Sequence, residues 1–197
     1  MGLTGLSVTE YVQRVAASTA TPGGGSVCAL VCSLCAALCL MAARLAPAGG
    51  EKKSDGRDAP QELKASLEGL LAGALALAEQ DALAYDKVLA AIHLDRANEA
   101  RSPAIEAAMK QASLIPLETL RTLAKIADLA GDVFNRGSPN CRCDVEVSLH
   151  LMRAAAKGSL CNLQENLSKI YDKTFTSRVQ SDMTALKNAI EQATGRL

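Results

Sequence analysis

The chain has 197 residues, with 21 basic and 21 acidic side chains and a formal net charge of zero. That balance leaves no electrostatic footprint for nucleic acid or for an anionic membrane. Hydrophobic residues make up 49% of the chain, yet only 3% are aromatic and none is tryptophan. The core must then come from Leu, Ala, Val and Ile, a composition that suits closely spaced helices better than packed sheets.

Ser7-Val8-Thr9-Glu10 has the form of a capping box. It opens a short first helix, from Val8 to about Ser18, with Val8, Tyr11, Val12 and Val15 on one face. Pro22 and Gly23 to Gly25 stop the chain, and a second helix runs from Ser26 to about Ala46. Pro47, Gly49, Gly50 and the polar run from Glu51 to Asp58 form a loop. Pro60 suits the first turn of a long third helix that carries an apolar face from Leu63 to Ile92. The charged stretch Asp95 to Arg101 is a connector. A fourth helix starts at Ser102-Pro103 and reaches about Arg136; Pro116 lies inside it and should kink it. Gly137 to Asn140 is a turn. A fifth helix runs from Cys143 or Asp144 to about Ile170, and a sixth from about Phe175 to Ala193. No alternating strand run exceeds four residues. The expectation is an all-α, single-domain bundle of about six helices over residues 1–197, without an internal repeat.

The second helix is uncharged from Val27 to Ala43, roughly 17 residues, the lower limit for a membrane span. No aromatic belt or Lys/Arg cluster flanks it, and the remaining helices are amphipathic and need something apolar to cover. The expected place of this helix is the centre of the bundle, with no membrane partner. Cys28, Cys32, Cys35 and Cys39 fall at spacings of four, three and four and form one stripe. The stripe is about 16 Å long, too extended for one tetrahedral metal site, so these residues read as small packing groups. Cys141 and Cys143 alone make weak metal ligands. The cysteine count is seven. Met1 to Leu6 lacks the basic region of a secretory signal. Together these features imply reduced thiols and a cytoplasmic location.

The junction Thr21-Pro22-Gly23-Gly24-Gly25-Ser26 lacks the lysine of a nucleotide phosphate loop, and no strand precedes it. Glycines let a backbone approach a planar ligand closely, and the free amides of a helix start offer donors to a carboxylate or carbonyl oxygen. A tight interhelical turn would use the same residues.

The chain carries T-P-G-G-G-S at Thr21 to Ser26, E-Q-D-A-L-A-Y at Glu79 to Tyr85 and I-P-L-E at Ile115 to Glu118. It continues with N-x-x-x-D at Asn140 to Asp144 and N-L-Q-E-N-L at Asn162 to Leu167. In this order and spacing the segments resemble the cyclodeaminase/cyclohydrolase family of folate enzymes. The resemblance implies an all-helical homodimer. The implied activity is formiminotetrahydrofolate cyclodeamination, with methenyltetrahydrofolate cyclohydrolysis as the alternative; a non-catalytic folate-binding or helical interaction protein is the lesser alternative. Two departures stand out. Glu79 occupies a position where the family carries aspartate and could alter rate or specificity. Cysteines replace small residues of the second helix.

Both reactions pass through a tetrahedral carbon between N5 and N10 of tetrahydrofolate. The resemblance implies that Asp81 is the proton donor, kept protonated near neutral pH by apolar surroundings. Asp144 is the second candidate, either facing the ligand or capping the fifth helix. Substrate contacts are expected from Pro22, Gly23, Gly24, Gly25 and Ser26. Asn140, Asn162 and Asn166 can provide both donor and acceptor to a pterin edge. Tyr85 is placed either on the ligand or in the core. Lys52, Lys53 and Arg57 are expected to hold the carboxylates of the folate tail. His93 and His150 have no partner pattern for catalysis. Neither a metal nor a cofactor other than the folate substrate is expected.

Overall fold

A computed structural model of the chain describes residues 2–46 and 61–195. The polar loop with Lys52, Lys53 and Arg57 lies outside the described residues. After a 3-10 turn at Leu3–Gly5 come six helices: α1 (Val8–Val15), α2 (Gly24–Arg44), α3 (Gln61–Ile92), α4 (Arg101–Arg136), α5 (Arg142–Leu167) and α6 (Lys173–Thr194). Among the described residues there is no strand, so the all-α expectation holds.

The expected capping box starts α1. Ser7 Oγ accepts the Glu10 N–H at 3.2 Å, and the Glu10 carboxylate accepts the Ser7 N–H at 2.8 Å. The helix ends at Val15, short of the expected Ser18, because the Ala17 N–H turns back to the Arg14 carbonyl at 3.2 Å and tightens the last turn. Its apolar stripe is not core: Tyr11 is buried, but Val8 is 83% exposed and Val12 59%. The helix rests on the bundle through its tyrosine.

α2 begins at Gly24, two residues before the expected start, with Gly23 as an extended N-cap residue that offers no side-chain cap. It packs against α3, α5 and α4 at once. Its most apolar window has a mean hydropathy of 2.4, and 56% of that window is buried. Burial on this scale is what the central helix of a bundle requires. Cys32, Cys35 and Cys39 have no exposure. All seven cysteines are free thiols, and Ser148 Oγ from α5 donates to the Cys35 carbonyl at 3.0 Å. A Cβ on Gly158 of α5 would sit 2.5 Å from Cys28 Sγ, so a larger residue there would have to displace the thiol.

α2 and α5 run antiparallel. At one end the Ser138 N–H, just before α5, bonds the Ala42 carbonyl at 2.9 Å; at the other, Asn162 lies against Gly24. The main core gathers Leu67 of α3, Leu120, Leu123 and Ile126 of α4, Met152 and Leu163 of α5, and Val179 and Ile190 of α6. Each fully buried side chain of this size contributes about 1.5–3 kcal/mol relative to exposure. α4 runs as one helix through Pro116, which is itself buried. α6 starts two residues before the expected Phe175, because the Asp172 carboxylate caps it by accepting the Phe175 N–H at 3.0 Å.

Candidate functional site

The site grows from the start of α2. The N–H groups of an α-helix's first turn have no carbonyl to bond, and Gly23 provides no capping side chain. Opposite them on α3 stands Asp81. A Cβ on Gly25 would fall 2.5 Å from the carboxyl carbon of Asp81 and 2.7 Å from its Oδ2. The aspartate reaches the helix start only because residue 25 is glycine.

Burial pushes the Asp81 carboxyl above its ordinary value, and the Ser26 N–H directed at it pulls the other way without cancelling the rise. The acid form thus persists to higher pH than in an ordinary aspartate. The carboxylate left after proton transfer has an N–H and a helix N-terminus to receive it.

Behind this pair lies a residue that pattern reading had placed only on the face of a short helix. The Tyr11 hydroxyl is 2.9 Å from Ser26 Oγ, and both side chains are buried. Tyr11 thereby ties α1 to the first turn of α2. The phenol is pushed up, mainly by burial, with Asp81 adding to the rise.

Glu79, where the resemblance leads to an expectation of aspartate, points elsewhere. Its Oε1 accepts the Thr4 N–H at 2.6 Å and the Thr4 hydroxyl at 2.9 Å; burial works to raise its carboxyl, but the bonds from the N-terminal segment together outweigh that and hold it below the usual range. Glu79 straps the N-terminal segment onto α3.

In front of Asp81 opens a cavity of about 860 Å³, within the range of small-molecule sites. Its glycine end is bounded by Gly23, Gly24, Gly25, Asp81, Asn162 and Asn166; Tyr85 also lines it. The two asparagines stand one turn apart on α5, and a Cβ on Gly24 would lie 3.6 Å from Asn162 Nδ2. Backbone and amide groups thus share one wall.

The remaining candidates fall elsewhere. Ser26 and Pro22 are buried beneath the junction and are absent from the cavity lining. Asn140 sits in the 3-10 turn Pro139–Cys141, and Asp144 in the first turn of α5. Asp144 and Asn162 are 18 residues apart on one straight helix, about 27 Å at its usual rise. One copy of the chain therefore cannot bring Asp144 to this cavity.

Residues 7–185 match the sequence profile of the formiminotransferase-cyclodeaminase family. The formimidoyltransferase-cyclodeaminase of Rattus norvegicus is 26% identical over 185 residues, covering 91% of this chain and 34% of its own. The chain thus spans about a third of the length of that relative. The methenyltetrahydrofolate cyclohydrolase of Methylorubrum extorquens is 27% identical over 184 residues, covering 91% of this chain and 88% of its own. The crystal structure of formiminotetrahydrofolate cyclodeaminase from Thermotoga maritima shares the fold, with a TM-score of 0.87 over 97% of this chain and 93% of that one, at 24% identity. The profile match takes in the glycine junction, Asp81 and both asparagines of α5, and by it this chain belongs to the formiminotransferase-cyclodeaminase family.

Proposed function

We propose that the chain is a folate-dependent one-carbon enzyme that carries out formiminotetrahydrofolate cyclodeamination. The supporting observation is the shielded Asp81 carboxyl, pressed against Gly25 at the wall of the cavity. In this reaction N10 of the folate attacks the formimino carbon on N5. The C–N bond to the departing nitrogen then breaks as Asp81 protonates it, and ammonia leaves. Burial favours the protonated form of Asp81, and the Ser26 N–H stabilises the carboxylate that results. The asparagines of α5 offer donors and acceptors to the pterin, and the glycine backbone lets the ring approach α2. These steps call on no metal or separate cofactor.

A second reading is methenyltetrahydrofolate cyclohydrolysis, favoured by the likeness to the Methylorubrum enzyme over most of that enzyme's length. There Asp81 acts first as a base, taking a proton from the water that adds to the methenyl carbon. Purified protein separates the readings when methenyl absorbance is followed with each substrate. A rise from the formimino compound, with no loss of methenyl compound, supports cyclodeamination; loss of the methenyl compound supports the hydrolase. No change with either leaves a folate-binding or helical interaction protein.

We also infer a homodimer. Leu34 and Met41 of α2 and Leu45 just past its end remain exposed at helical spacing, Leu34 by 48% and Leu45 by 58%, and Val147 of α5, a helix that packs on α2, is exposed too. An uncharged face of this kind suits an isologous contact. Packing α2 against its copy in the antiparallel sense carries each Asn140–Asp144 end toward the other's glycine junction. That would give Asp144 access to a ligand across the interface. Light scattering that finds a monomer at micromolar concentration rules this out. The free thiols support a cytoplasmic setting.

A further inference from the structure

Asp81, Tyr85, Val88 and Ile92 of α3 all line the cavity. Their spacings of four, three and four make them one face, and from first to last they span about 16 Å. α4 lines the cavity from Ala112 back to Arg101 over a similar length. The cavity is therefore a long trough with Asp81 at one end and Arg101 at the other. Lys169, just past the end of α5, also lines it.

The Arg101 guanidinium is held in place rather than neutralised. Its Nε donates to the Ile92 and Leu94 carbonyls at 3.2 and 3.1 Å, and its Nη2 to the Ile92 carbonyl at 3.0 Å. Among the described residues Nη1 has no protein acceptor and the side chain makes no ion pair. Two carboxylates also line the trough, and both are engaged. Glu106 accepts the Asp172 N–H at 2.9 Å and lies 3.5 Å from Lys110 Nζ. Glu165 pairs with Lys169 at 2.9 Å, with both side chains more than half exposed. Exposed pairs of this kind contribute little, so an incoming anion exchanges with Glu165 at little cost.

We propose that Arg101 and Lys169 form the seat for the carboxylates of the substrate's glutamate tail. This rests on the folate reading above. In an extended p-aminobenzoylglutamate, N10 lies about 10 Å from the α-carboxylate by ordinary bond lengths. With the reacting carbon at Asp81, the tail points down the trough toward its far end, where the Ile92 and Leu94 carbonyls hold the Arg101 guanidinium. A fixed guanidinium with free N–H groups matches a carboxylate in shape and charge.

The test measures binding of 5-formyltetrahydrofolate and of 5-formyltetrahydropteroate, which lacks the glutamate, to the full chain and to Arg101→Gln and Lys169→Gln. Wild type should prefer the glutamate-bearing ligand by about ten- to a hundredfold, the effect of one charged hydrogen bond or two. Each variant should lose part of that preference while binding the pteroate as wild type does, and added salt should narrow the preference in wild type. Arg101 also ties the end of α3, so a general loosening of the fold would weaken both ligands alike; that result in both variants overturns the proposal. Equal wild-type affinity for the two ligands also overturns it and leaves the folate reading intact. Binding of neither ligand removes the folate reading itself.

Discussion

Replacing Gly25 by alanine tests how tightly the backbone of α2 governs the acid on α3. The new Cβ would lie 2.5 Å from the Asp81 carboxyl carbon, whereas ordinary contact begins at 3.4 Å. The carboxyl must retreat by roughly 1 Å, and a displacement of that size in a reacting group costs on the order of a hundredfold in rate. Gly25 lies in the first turn of a helix, where alanine is the better helix former by up to about 1 kcal/mol. The expected result is a kcat about a hundred times lower with a thermal midpoint within a few degrees of wild type. Initial rates and a melting curve on the same preparation decide it. A Gly25→Ala protein with wild-type kcat would show that the carboxyl does not need its place against the α2 backbone.

The role of Asp81 appears in the pH profile. If it is the acid of cyclodeamination, the protonated form is active, and kcat falls as pH rises through a value above the ordinary aspartate range. A base role in cyclohydrolysis gives the opposite slope, so the pH profile of each reaction assigns the direction of proton transfer. Gly131, inside α4, has nothing within 4 Å of an added Cβ. Gly131→Ala should raise unfolding free energy by about 0.5–1 kcal/mol without changing turnover, as denaturant titration would reveal. Cys32, Cys35 and Cys39 are buried, and burial pushes the Cys35 thiol up to about 12. Under native conditions iodoacetamide should label exposed Cys143 and spare those three until the chain is unfolded, as peptide mass spectrometry would report.

Periodicity made the helices legible because each buries an apolar stripe, and the fully apolar second helix declared its central place by its composition. The ends were less legible where local bonds override pattern. Gly23 allows α2 to begin before Ser26, and Asp172 begins α6 before Phe175. The stripe of α1 was misleading, since only Tyr11 meets the bundle, and its bond to Ser26 joins two segments that sequence spacing does not connect. The trough between α3 and α4 escaped notice for the same reason: Arg101 reads as part of a charged connector until the helix packing brings it and Lys169 to one cavity. The distance of Asp144 from Asn162 was legible all along. Both fell on one expected helix, and its length alone keeps them apart.

The central claim is that a shielded carboxylic acid at the α2 N-terminus transfers the proton. Its most direct test is Asp81→Asn, which keeps the shape of the side chain and removes the transferable proton. Turnover of the formimino substrate should fall by about 10²–10⁴-fold, the usual contribution of a positioned acid, while 5-formyltetrahydrofolate binds within a few-fold of wild type. Wild-type turnover in this variant would contradict the account.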